Sequence, residues 1–106
     1  MFTIDKSFFD SKLMEIEKTL DEFKLTKIEK QVMLNYYISL LLYEIFKNRK
    51  IDVLVKHIDY ISFSSILGYI LLCYSKNKNF QIIFEGDKYT LKSDLKSEDF
   101  KWLKQY

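Results

Sequence analysis

The apolar residues Phe9, Leu13, Ile16, Leu20 and Phe23 recur in steps that alternate between four and three. That spacing keeps returning to one side of an α-helix, so it predicts an amphipathic helix over 5–23. Its other faces carry Asp10, Glu15, Glu17, Asp21 and Glu22 with Lys12 and Lys18 between them, and the solvent side leans acidic. Thr26 then opens the pattern T-K-I-E, in which the Thr26 hydroxyl can accept from the Glu29 amide while the Glu29 carboxylate reaches back to the Thr26 amide. A second helix is expected to start there. Over 28–46 apolar side chains fall on nearly every face, among them Val32, Tyr36, Tyr37, Leu40 and Tyr43, which predicts a central helix enclosed by other elements. Lys47, Asn48, Arg49 and Lys50 end it, with cations against the negative end of the helix dipole.

Asp52 is the expected cap of a third helix, VLVKHIDYI, which either runs on through the uncharged stretch YISFSSILGYILLCYS over 60–75 or breaks near Ser62, Ser64 and Ser65. The β-branched Val53, Val55, Ile58 and Ile61 also allow a strand, but Ile66, Ile70 and Tyr74 at four-residue spacing favour a helix beyond the serines. Gly68 inside that run costs about 1 kcal/mol relative to Ala and is read as the mark of a close helix crossing. After the S-K-N-K-N exit the period becomes twofold. FQIIFE, Gly86-Asp87 and KYTLKS predict a β-hairpin that pairs Glu85 with Lys88, Phe84 with Tyr89, Ile83 with Thr90 and Ile82 with Leu91. Phe80, Ile82, Phe84, Tyr89 and Leu91 then share one face, which must lie on the helices because a lone hairpin is marginal in water. Ser97, followed by Glu98 and Asp99, is the expected cap of a short terminal helix anchored by Phe100, Trp102 and Leu103.

These elements make an α+β protein, mainly helical: three to four packed helices followed by a C-terminal β-hairpin and a short terminal helix. A length of 106 residues with 48% hydrophobic content supports one core, so a single globular domain over 1–106 is expected. Length argues against the membrane alternative and for buried core helices. Crossing the ~30 Å hydrocarbon core takes about 20 apolar residues, whereas 60–75 would rise only about 24 Å as a helix and contains four Ser and three Tyr. The lone Cys73 cannot form an internal disulfide, and the Asp5- and Asp10-bearing N-terminal stretch has no secretory pattern; a cytoplasmic setting is expected. With no Ala, no Pro, two Gly and one Arg beside sixteen Lys, the composition is that of an AT-rich bacterial or phage gene.

Chemistry is sparse. One His and one Cys sixteen residues apart do not make a zinc site, and no Asp- and Asn-dense loop offers a site for a harder cation. His57 and Asp59 fall on different sides of a helix, no Gly-x-Ser-x-Gly elbow occurs, and two isolated glycines cannot build a phosphate-cradling loop. No catalytic group, metal or cofactor is expected. Nucleic acid is a weaker possibility as a partner, since 17 basic and 15 acidic groups leave a net charge of only +2. Three helices followed by a hairpin resemble the order of elements in winged-helix proteins, which would place Lys88 and Lys92 on the wing and let Lys47, Arg49, Lys50 and Lys56 contact phosphate. The helix before that wing, ILGYILLCY, lacks the polar residues that read bases.

Eight Tyr, nine Phe and one Trp exceed what a core of this size must hide, and Tyr36 or Tyr37, Tyr60, Trp102 and Tyr106 are candidate interface anchors. The expectation is therefore a non-catalytic protein-binding domain, an inhibitor such as an immunity protein or antitoxin. It would neutralise a cognate toxin or enzyme by direct binding, with Asp10, Glu15, Glu17, Asp21 and Glu22 as the contact face. A winged-helix-like DNA-binding regulator is the alternative, and a small structural subunit of a larger complex comes third.

Overall fold

A computed structural model describes residues 1–48, 59–86 and 88–100. Strand β1 (Phe2–Asp5) leads into helices α1 (Lys6–Asp21), α2 (Lys27–Asn48) and α3 (Asp59–Ser75), followed by strands β2 (Phe80–Glu85) and β3 (Lys88–Ser93). The three strands form one antiparallel sheet in the order β1-β2-β3. The protein is thus α+β and predominantly helical, but the chain does not run simply from helices to hairpin. A strand precedes the helices and pairs with β2, which follows them.

Strand β1 had no local signature. Its four residues merge directly into α1, and Asp5 serves both elements: it is the last strand residue and, with an extended backbone, the helix cap. Its carboxylate accepts from the Ser7 hydroxyl at 2.7 Å and the Phe8 amide at 3.2 Å, bonds that hold the acid below its ordinary pKa. Helix α1 therefore begins at Lys6, not at Asp5. It ends at Asp21 because Lys24 takes a left-handed conformation (φ 52), which leaves Phe23 outside the helix and exposed rather than on the apolar stripe. Phe9, Leu13 and Leu20 are buried as the periodicity predicts.

The capping box at the start of α2 forms as expected, with Thr26 N donating to Glu29 Oε1 at 2.9 Å and Glu29 N donating to Thr26 Oγ1 at 3.2 Å. Lys30 then ties α2 to α1 by ion pairs to Asp21 at 2.7 Å and Glu17 at 3.4 Å. Helix α2 is not enclosed, however: only Ile38, Leu42 and Phe46 are buried. Its 22 residues span about 33 Å, and α1 and α3, with 16 and 17 residues, are shorter and cover one side of it.

Ser62, Ser64 and Ser65 do not break α3, which is continuous from Asp59. The expected cap Asp52 and the stretch 49–58 lie outside the described residues. Ile66, Ile70 and Cys73 of α3 are fully buried. The helix ends in a Schellman motif: Asn77 is left-handed (φ 54), Lys78 N donates to Cys73 O at 2.8 Å, and Asn77 N donates to Tyr74 O at 3.2 Å. Gly68 marks no close crossing, since a Cβ added there would meet nothing.

The hairpin has the predicted register, from Glu85 opposite Lys88 to Ile82 opposite Leu91, and Gly86 turns it with φ 62. On its other side β2 pairs with β1, Phe2 opposite Phe84 and Ile4 opposite Ile82. Ile4, Phe80, Ile82 and Phe84 meet Phe9, Leu42, Phe46, Ile66 and Ile70 in one core, in which Phe84 stacks on Phe2 at 5.5 Å and meets Phe46 edge-on at 5.6 Å. A single helical turn covers 97–100, and it begins one residue earlier than expected: the cap position is Lys96, whose amide donates to Asp99 Oδ2 and whose carbonyl accepts from Asp99 N, so Ser97 stands inside the turn and not at its cap. Trp102 and Leu103 lie outside the described residues.

The two glycines respond oppositely to the same substitution. Gly68→Ala, in open helical surface, is expected to stabilise the protein by about 1 kcal/mol, whereas Gly86→Ala forces a side chain into a left-handed turn and is expected to destabilise it by about 1–2 kcal/mol. Urea unfolding of both variants measures the two signs.

Candidate functional site

Polar groups gather at two places where α3 meets other elements. At the first, the Tyr74 hydroxyl donates to Asp10 Oδ1 at 2.8 Å, Lys6 Nζ donates to Asp10 Oδ2 at 2.9 Å, and the Lys6 ammonium stands 5.2 Å from the centre of the Tyr74 ring. Burial and then the adjacent Asp10 carboxylate push the Tyr74 phenol well above its ordinary range. At the second, Ser93 of β3 receives the Tyr69 hydroxyl and the Leu95 amide, and it bonds the thiol of Cys73. Burial lifts that thiol from 9.0 to about 11. Both nucleophile candidates are therefore held protonated near neutral pH, the opposite of an activated nucleophile. They join helix to helix and helix to sheet.

A cleft of about 430 Å³ opens between β1, the first turns of α1 and the last turns of α2. Phe2, Ile4, Phe8, Leu41 and Ile45 give it apolar walls, and Lys12 and Glu44 sit at its edge. The Asp5 carboxylate at its margin is committed to capping α1. Among the described residues, no three His, Cys, Asp or Glu side chains gather in a way that could hold a metal ion.

The five acids expected to form one contact face are split by the structure. Asp10 is turned toward Lys6 and Tyr74, and Glu17 and Asp21 toward Lys30, whose ammonium is held above its ordinary pKa first by the Asp21 bond. Glu15 and Glu22 stay exposed and, among the described residues, form no ion pair. They flank the solvent side of α1 together with Met14, which is 61% exposed, and Phe23 beyond the helix end is 66% exposed. Of the alternative basic patch, Lys47 is exposed in the last turn of α2; Arg49, Lys50 and Lys56 lie outside the described residues. Lys88 and Lys92 are exposed on the hairpin.

Sequence reasoning missed the exposed apolar side of α2, where Ile28, Val32, Tyr36, Leu40 and Tyr43 all face solvent. The predicted helices were of comparable length, so no local signal showed which side of this one would stay open; that depends on where the other elements pack. Tyr36 is exposed and Tyr37 half-buried; Tyr60, Trp102 and Tyr106 have no described side chains. Among the described residues no helix is long and apolar enough to cross a membrane. In comparisons with known proteins, no family model, curated protein or solved structure matches the chain.

The raised thiol and phenol make a prediction about alkaline stability. Each group binds its proton more tightly in the folded chain than in the unfolded one, so the stability it contributes is intact below the unfolded pKa and lost as pH rises toward the folded value. The unfolding free energy is expected to decline through pH 9.0, where Cys73 is half ionised in the unfolded chain, and more steeply through pH 10.0, where Tyr74 is. Tyr74→Phe should cost about 1–2 kcal/mol at neutral pH, for the hydrogen bond to a carboxylate, and should flatten the decline above pH 10.0. Urea titrations at a series of pH values read both effects.

Proposed function

We propose that the chain is a non-catalytic protein-binding domain of the inhibitor kind, an immunity protein or antitoxin that neutralises a cognate toxin or enzyme by direct contact. The observation that carries this reading is the outer side of α1. There Glu15 and Glu22 remain as exposed carboxylates around an exposed Met14, with Phe23 just beyond, while Asp10, Glu17 and Asp21 are engaged within the fold. Exposed apolar surface rimmed by charge is a common form of protein contact. Lys18 is also exposed between Glu15 and Glu22, so the rim carries a net charge of about −1; a net acidic rim suits a partner with a cationic face, such as a nuclease or another enzyme acting on polyanions, because it accelerates association and masks the cationic site. The protonated Cys73 and Tyr74 and the committed Asp5 support the absence of catalysis. Helix α3 gives the winged-helix alternative little support: it buries Ile66, Ile70 and Cys73, its exposed positions include Ser64, Ser65 and Gly68, and it carries no Lys or Arg.

The test is charge reversal. With the binding partner recovered from the source cell, or the product of the neighbouring gene, Glu15→Lys combined with Glu22→Lys is expected to slow association by roughly tenfold or more and to flatten its salt dependence. Thermal unfolding should be little changed, since both side chains are exposed. Unchanged association and unchanged salt dependence would remove α1 from the contact.

A further inference from the structure

Helix α2 carries a second surface that neither the core nor the contact on α1 uses. Ile28, Val32, Tyr36, Leu40 and Tyr43 are 78%, 60%, 56%, 42% and 58% exposed. Steps of four, four, four and three place them on one side of the helix along about 22 Å. The two tyrosines are also held from behind, Tyr36 against the Tyr37 ring at 5.9 Å and Tyr43 against Phe63 at 6.5 Å. Monomeric proteins seldom leave so continuous an apolar surface open.

The pattern is close to a palindrome. Val32 and Tyr43 lie at nearly equal distances on either side of the level of Ile38, as do Tyr36 and Leu40. So do Glu29 and Lys47, of opposite charge, which flank the stripe at its two ends. Those two are 18 residues apart, which is about five complete turns, so they project from the same flank of α2. A surface that meets its own copy across a two-fold axis must be self-complementary in this way, each residue facing its counterpart from the other end. When helices pair antiparallel, the same flank of each comes together, and this brings unlike charges into register at both ends.

We infer that α2 is the interface of a homodimer, in which the α2 helices of two copies lie antiparallel about an axis at the level of Ile38. Tyr36 packs on Leu40 of the second copy, Val32 on Tyr43 of the second copy, and Glu29 faces Lys47 of the second copy at both ends. Ser39, half-buried between Tyr36 and Tyr43, leaves room for close approach near the axis. The Glu29 carboxylate, whose Oε1 accepts from the Thr26 amide, keeps Oε2 for the lysine. The five apolar side chains expose roughly 600 Å² per copy, and with their polar rim they approach the ~800 Å² per partner of a stable interface. A net charge of +2 opposes pairing only weakly.

Mass in solution tests this directly, and independently of the contact on α1. Sedimentation or light scattering across a concentration series is expected to give a dimer that dissociates on dilution. Tyr36→Asp should raise its dissociation constant at least about tenfold, while Met14→Glu, equally exposed but on α1, should leave it unchanged. Lys47→Glu should weaken the dimer by setting like charges at both ends, and adding Glu29→Lys should restore it; circular dichroism confirms that each variant is folded. A monomeric mass at every concentration would overturn the proposal. So would a dimer insensitive to Tyr36→Asp, or one that Lys47→Glu leaves untouched.

Discussion

Ile82 and Phe84 stand on the middle strand of the sheet, with β1 paired along one side, β3 along the other and helices against their apolar face. Each helix touches this strand: Phe46 of α2 meets Phe84, and Phe9 of α1 and Tyr74 of α3 both meet Phe80. A two-stranded hairpin has too little buried surface to persist alone; the third strand comes from residues 2–5, and its pairing with 81–84 joins segments on either side of the three helices. Helix α1 follows β1 without an intervening residue, so the position of the edge strand also fixes where α1 starts and how Phe9 enters the core.

The polar contacts reinforce that closure. Lys6, Asp10 and Tyr74 connect the first turns of α1 to the last turn of α3, and Ser93, Tyr69 and Cys73 connect α3 to the edge strand β3. Helix α3 is thus bound on two sides by hydrogen bonds as well as by Ile66 and Ile70 beneath it. A cysteine and a tyrosine that elsewhere could serve chemistry are committed here to holding three elements together. Helix α2 has a different arrangement, tied to α1 through Lys30 and to the core through Ile38, Leu42 and Phe46, with a full side left to solvent.

Local physics made much of the fold legible. The Thr26–Glu29 box and the Gly86 turn depend on residues a few positions apart and formed as read, the α1 periodicity held from Phe9 to Leu20 but not to Phe23, and the hairpin register followed from its turn. Strand β1 was not legible, because its four residues have meaning only against a partner about eighty residues away. Helix α2 was misjudged for a related reason: apolar composition says how much surface wants cover, and not whether the chain has enough other elements to supply it. The acidic face divided because Lys30, nine residues beyond Asp21, folds back onto it, and Tyr74 reaches Asp10 from another helix. Which acids remain outward is a tertiary fact.

The pairing of β1 with β2 also bears on the order of events during synthesis. Residues 2–5 leave the ribosome well before 81–84, so the sheet has no middle strand until all three helices have emerged. Until then the apolar faces of α1, α2 and α3 have only one another, and contacts of such long sequence separation are the slow ones to form. Completion of a sheet whose strands lie on both sides of the helices in the sequence therefore waits on β2, a single six-residue strand whose burial alternates inward and outward.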